Sequence, residues 1–160
     1  MVGDLGHAGD VDYPGVVMMS PAARALPETP YKLYVSPAGS DSNPGTRAAP
    51  FKTIGRAARA ARPGTTVLVA PGRYEGGFQT RASGAPSARI HYVSTEKWGA
   101  SIVPPARNSS KMAWDNRGSY TDVIGFQVDG GGEQGGAQWR YGIYNGGSYS
   151  VIRDNWIHHV

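Results

Sequence analysis

The chain has 160 residues, with 16 Lys+Arg against 12 Asp+Glu for a formal net charge of +4, a length that fits one domain with a real core. Glycine (23) stands at about twice its usual ~7% share, valine outnumbers leucine and tyrosine reaches 9, which argues against a helical bundle, a coiled coil or a leucine-rich α/β enzyme. Cysteine is absent, which excludes disulfides and thiolate metal sites. No apolar run approaches the ~18 residues of a spanning helix, so no membrane insertion is expected, and no run of like charges marks a nucleic-acid partner.

The first residues, MVGDLGHAGD, carry neither a basic nor an apolar leader segment, so no signal peptide is encoded in them. Residues 1–30 are punctuated by Pro14, Pro21, Pro27 and Pro30, hold no period, and read as an extended N-terminal arm. Order begins with a short strand, Lys32-Leu33-Tyr34-Val35. A dense run of turn formers follows, from Ser36 to Thr46. Residues 50–62 are expected to form a helix whose apolar stripe is Phe51, Ile54, Ala58 and Ala61, with Arg56, Arg59 and Arg62 on a solvated face and Pro63-Gly64 as the stop.

Short strands then recur. Thr66–Ala70, Arg89–Val93 and Met112–Asn116 lie 23 residues apart. A closer echo sets RGSYTDVIGFQV (117–128) over GGSYSVIRDNWI (146–157) at an offset of 29, matching Gly118-Ser119-Tyr120 with Gly147-Ser148-Tyr149, Val123 with Ile152 and Val128 with Ile157. Spacing of ~20–30 residues with short strands and turns marks a solenoid, and an amphipathic helix ahead of it covers the apolar first end. Asn155 falls opposite Phe126, so no asparagine ladder is expected. His91 is read as an outward-facing strand residue. His158-His159 is read as a polar turn, because neighbours on a strand point to opposite faces unless the strand has ended.

The stretches Tyr34-Val35-Ser36-Pro37, Gly39-Ser40-Asp41-Ser42-Asn43-Pro44-Gly45-Thr46, Ala49-Pro50-Phe51-Lys52-Thr53-Ile54, Pro63-Gly64-Thr65-Thr66-Val67 and Pro71-Gly72-Arg73-Tyr74 together resemble the opening of right-handed parallel β-helix proteins of the pectate-lyase-like group, nearest the polysaccharide lyase family 9 type. The tail Val151-Ile152-Arg153-Asp154-Asn155-Trp156-Ile157-His158-His159 is similar to their coil repeat. The resemblance covers about residues 31–160. It implies an all-β parallel β-helix with one short capping helix, residues 31–160 forming the cap and first coils.

The same resemblance implies polysaccharide-lyase-like β-elimination on an acidic polysaccharide, outside the cell or in its envelope, with Ca²⁺ as the possible cofactor. The small positive charge suits such a polymer. β-Elimination needs a cation on the uronate carboxylate, a base for the proton beside it, and a proton for the leaving oxygen. Lys111 and Arg153 are the candidate bases. Asp115, Asp129 and Asp154 are the candidate metal ligands, on separate coils that spacing does not bring to one face. Trp139, Arg140 and Tyr141, beside a glycine-rich loop, are the candidate sugar contacts, from a wider aromatic set that includes Trp98, Trp114, Trp156, Tyr144 and Tyr149.

About four coils are expected before Val160, so the chain reads as incomplete and weakly active or inactive alone. The alternative is a non-catalytic structural or glycan-binding module of a tailspike, surface or assembly protein. An uncovered coil end beside Ile152 and Ile157 leads to an expectation of self-association.

Overall fold

The computed structural model describes residues 31–131 and 138–160; the expected arm over 1–30 and residues 132–137 of the glycine-rich loop lie outside the described residues. The first strand, β1 (Tyr31–Val35), is followed by the helix α1 (Ile54–Ala60). A trio of strands then repeats: β2 (Thr65–Val69), β3 (Gly72–Glu75) and β4 (Phe78–Thr80), then β5 (Ile90–Ser94), β6 (Ala100–Val103) and β7 (Met112–Asn116). A third trio is β8 (Thr121–Ile124), β9 (Gln127–Asp129) and β10 (Tyr141–Asn145), and a fourth begins with β11 (Val151–Arg153) and β12 (Trp156–His158). The first members form a five-stranded sheet, β1-β2-β5-β8-β11; the second members form a four-stranded sheet, β12-β9-β6-β3; the third form a three-stranded sheet, β10-β7-β4. All pairings between these strands are parallel, so the chain is a parallel β-helix with three faces.

The expected strands are present, but the even spacing of 23 is not the coil period. Thr66 does sit opposite His91 on the five-stranded sheet. Met112–Asn116, however, belongs to the three-stranded sheet, and the next rung after β5 is β8, with His91 opposite Asp122. Turns of unequal length separate the three faces, so equal intervals in sequence need not fall on one face. The offset of 29 does mark a coil: Val123 faces Ile152 and Val128 faces Ile157, and Ser148 N donates to Ser119 Oγ at 3.1 Å across it. Tyr120 and Tyr149 stack at 4.8 Å between ring centres.

The helix is shorter than the expected 50–62. Thr53 caps it, its hydroxyl accepting from Arg56 N at 3.1 Å. Asp41 in turn accepts from the backbone N–H groups of Lys52 and Thr53 at 3.0 and 2.9 Å, tying the turn-rich loop to the helix start. Burial alone would raise the Asp41 carboxyl; the hydrogen bonds from Thr53 and Lys52 outweigh it and hold it below its usual range. Ala61 is already extended, and Arg62 precedes Pro63, which disfavours helical backbone there. Ile54, Ala57 and Ala58 are buried, and α1 lies against β1, β2 and β4. Arg59 and Arg62 are exposed as expected and Arg56 is partly buried; Arg56 lies above Phe51 at 4.4 Å and Arg62 above Tyr31 at 3.5 Å.

The core runs along the axis. Trp114, fully buried, stands at its centre with ring centres 4.9 Å from Phe78, 5.3 Å from Tyr92 and 5.2 Å from Phe126. At the corner that leads from the three-stranded to the five-stranded sheet, inward polar side chains stack by register: Thr80, Asn116 and Asn145. Thr80 Oγ1 donates to Asn116 Oδ1 at 2.9 Å, and Asn116 Nδ2 lies 2.7 Å from Asn145 Oδ1, 2.8 Å from Thr121 Oγ1 and 3.1 Å from Gly118 O. An asparagine ladder is therefore present, one face away from Asn155. Asn155 itself bridges coils, accepting from Phe126 N at 2.8 Å and donating to Val123 O at 2.9 Å. Asn116→Ala is expected to cost about 2 kcal/mol, since it removes this side chain's hydrogen bonds from a fully buried position and takes from the Thr80 hydroxyl its acceptor. A lower urea midpoint at unchanged slope is the readout.

The five-stranded sheet is buried on both sides over β2, β5 and β8. Val67, Ile90, Tyr92 and Val123 face the main core, while Leu68, Val93 and Ile124 form a second cluster with Tyr34 on the other side. His91, on that second side, is only 2% exposed. Among the described residues no helix is long and apolar enough to cross a membrane.

Candidate functional site

Lys111 leads into β7, and its carbonyl accepts from the backbone N–H groups of Arg140 and Tyr141 at 2.9 and 3.0 Å. This parallel pairing brings Lys111, Arg140 and Tyr141 together, and all three are exposed. Further along β10, Tyr144 stands opposite Asp115, with the Tyr141 and Tyr144 rings 6.1 Å apart and edge to face. The Arg117 guanidinium lies 4.9 Å over the Tyr144 ring, and its Nε is 2.6 Å from Asp115 Oδ1. Gln79 Nε2 donates to the other Asp115 oxygen at 2.6 Å. One sheet thus presents two half-exposed tyrosines among Lys111, Arg140 and Arg117. Rings that offer an apolar face, beside guanidinium and ammonium groups, suit a sugar bearing a carboxylate.

Trp139 is not part of this surface. It is 3% exposed, its ring packed over Gly76, where a Cβ would stand 2.6 Å from Trp139 Cζ2. The absent side chain at Gly76 is what lets the indole turn inward. Tyr144 takes the place beside Tyr141 that Trp139 was expected to hold. Arg153 lies on another sheet from Lys111 and pairs with its neighbour Asp154 at 2.6 Å.

The three candidate acids are not brought together. Asp115 is on the three-stranded sheet, Asp129 ends β9, and Asp154 sits in the turn between β11 and β12 with φ 60. They offer Ca²⁺ no shared set of oxygens, and a hard cation of that size takes about 6–8. Asp129 instead meets two imidazoles: its Oδ1 is 3.0 Å from His159 Nδ1 and 3.5 Å from His158 Nδ1, and the two Nδ1 atoms are 2.8 Å apart. His158 is the last residue of β12 and His159 has φ 55, so the strand has ended and alternation no longer separates the two rings. Burial would raise the Asp129 carboxyl; hydrogen bonds from His159 and Gly131 N and the charge of the imidazoles hold it below the usual range instead.

A buried charge cluster elsewhere had no signal in the linear sequence. Register sets His91 opposite Asp122, and His91 Nδ1 is 2.8 Å from Asp122 Oδ2. Arg89 reaches the same carboxylate, with Nε at 3.1 and 3.2 Å from its two oxygens. Burial pushes the Asp122 carboxyl up; the hydrogen bonds from His91 and Arg89 overcome this and hold it at about 2. A cleft of about 550 Å³ lies between the start of α1 and the β3–β4 region, and Lys52, Arg59, Arg73 and Glu75 line it.

The fold is a parallel β-helix of the pectate-lyase-like kind. Residues 37–80 match the family model described as a protein of unknown function, DUF1565. Over 64 residues the chain is 41% identical to the uncharacterized protein YwoF of Bacillus subtilis (strain 168), a match that spans 40% of this chain and 14% of that protein. Among solved structures it is similar to a rhamnogalacturonan lyase, with TM-score 0.54, 25% identity, and coverage of 61% of this chain and 28% of the other. It is also similar to pectate lyase Pel9A, with TM-score 0.56, 22% identity, and coverage of 79% and 33%. The chain therefore spans about a third or less of the proteins it matches.

Proposed function

We propose that this chain contributes to a polysaccharide-lyase-like β-helix that binds an acidic polysaccharide along the three-stranded sheet. The convergence of Lys111, Arg140 and Tyr141 carries the reading. Tyr141 and Tyr144 stack on sugar faces, and Arg140 and Arg117 pair with uronate carboxylates. In this reading Lys111 takes the proton beside the carboxylate as the C–O bond one carbon further breaks, the double bond forms and the departing oxygen takes a proton from solvent. The likeness to two polysaccharide lyases supports the reaction class, and the exposure of the cations supports an anionic polymer.

The test is binding of polygalacturonate and rhamnogalacturonan oligomers to the wild-type chain and to Arg140→Ala and Tyr141→Ala. Each substitution is expected to weaken binding by roughly 5–10-fold, equivalent to about 1–1.4 kcal/mol, without changing the melting temperature. Ultraviolet absorbance of unsaturated product, followed with and without Ca²⁺, reads the chemistry, and Lys111→Ala should abolish whatever rate the wild type shows. No binding of either polymer would sink the proposal. Binding without product at any Ca²⁺ concentration would leave a glycan-binding module.

A further inference from the structure

The Asp129, His158 and His159 cluster is separate from the surface just described, on the four-stranded sheet and the turn that follows it. Its three donor atoms point at one another. The two imidazole Nδ1 atoms are 2.8 Å apart, and Asp129 Oδ1 is 3.0 and 3.5 Å from them. Zinc–ligand bonds of ~2.0–2.1 Å at tetrahedral angles put donor atoms about 3.3 Å apart. Moving the rings by a few tenths of an ångström meets that spacing.

The scaffold under the three residues is fixed. Register sets His158 opposite Asp129, and Gly130 N donates to His158 O at 3.0 Å. His159 folds back over two glycines: a Cβ at Gly130 would stand 2.2 Å from His159 O, and one at Gly131 would stand 3.2 Å from His159 Cβ. A side chain at position 130 would collide with the His159 backbone, and one at 131 would crowd its Cβ, so the glycines leave room for His159 beside Asp129. The His158 ring lies on Trp156 with centres 4.4 Å apart, and Trp156 lies on Trp98 at 5.6 Å. On its far side, His158 Nε2 is 2.9 Å from Gln127 Nε2. With the Gln127 amide turned over, its oxygen accepts from Nε2–H and leaves Nδ1 bare for a metal, the arrangement by which an outer partner orients a ligating histidine.

We propose that Asp129 Oδ1, His158 Nδ1 and His159 Nδ1 form a binding site for a divalent transition metal of the Zn²⁺ class, with solvent completing its coordination. Two imidazoles and one carboxylate select borderline cations, and Ca²⁺, which requires an oxygen-rich shell, is excluded from it.

The test is calorimetric titration of the untagged chain with Zn²⁺ at neutral pH, together with Co²⁺ absorption as a probe of coordination. A His7→Ala background removes the imidazole outside the described residues, and His91 is buried. One equivalent of Zn²⁺ should bind at submillimolar concentration and raise the melting temperature. His159→Asn, which tolerates the left-handed backbone, and Asp129→Asn should each weaken binding at least ~10-fold while the metal-free melting temperature holds. Co²⁺ should show an intense visible band that Zn²⁺ removes and excess Ca²⁺ does not. Absence of binding, retention of wild-type affinity in both variants, or displacement by Ca²⁺ would each overturn the proposal.

Discussion

Trp114→Ala should lower stability by about 4 kcal/mol, within the ~3–5 kcal/mol range for emptying a buried aromatic site. Trp114 is 0% exposed and touches Phe78 on its own sheet, Tyr92 on the five-stranded sheet and Phe126 at the corner beyond it. Its removal uncouples faces that are held together by these rings. The same substitution leaves Thr80 Oγ1 without the indole N–H that donates to it at 3.0 Å. A typical domain has only ~5–15 kcal/mol to lose, so a large fraction of this variant should be unfolded at modest urea concentrations. Trp114→Phe keeps most of the volume and should cost about 1–2 kcal/mol. Equal urea midpoints for the alanine variant and the wild type would show that the three faces do not depend on this ring.

Asp122→Asn is the second large effect, at about 3 kcal/mol. The substitution keeps the shape but leaves Arg89 and the buried His91 beside a neutral amide, and breaking a buried pair in this way costs more than the pair contributes. The acid limb of stability should change with it. The folded carboxyl titrates at about 2, below the ~3.9 of an unfolded aspartate. Its contribution is therefore fully present above about pH 4 and is lost as pH falls through about 2; the span corresponds to roughly 2–3 kcal/mol. Thermal melts of the two proteins across that range should converge at the acid end. Parallel curves would mean that Asp122 carries no linked proton.

The coil repeat was legible where both chemistry and length repeat. The offset of 29 between 117–128 and 146–157 put Val123 on Ile152 and Val128 on Ile157, as the register does, and the Tyr120–Tyr149 stack follows from the same match. Carried one residue toward the N-terminus, that alignment sets Asn116 against Asn145 and gives the ladder that Asn155 does not. The spacing of 23 misled at Met112, because a solenoid's turns vary in length and a strand's face depends on which turn precedes it.

Repeat spacing by itself pointed to a solenoid with an amphipathic helix ahead of it, the opening motifs by their resemblance to a parallel β-helix, and among the described residues both are present. Which side chains meet is a tertiary matter. Lys111 joins Arg140 and Tyr141, and Asp129 joins His158 and His159, only because a parallel register lays one coil on the next. Whether a face of a sheet is covered was equally invisible. His91 alternates as an outward strand residue should, yet the outer side of its sheet is buried, and it is held there by Asp122 from the following coil. Trp139 turned inward for a reason recorded far away in the chain, the missing side chain of Gly76. Local propensity sets the shape of each strand and turn; contacts between coils are set by the sum of turn lengths, which no single window of sequence contains.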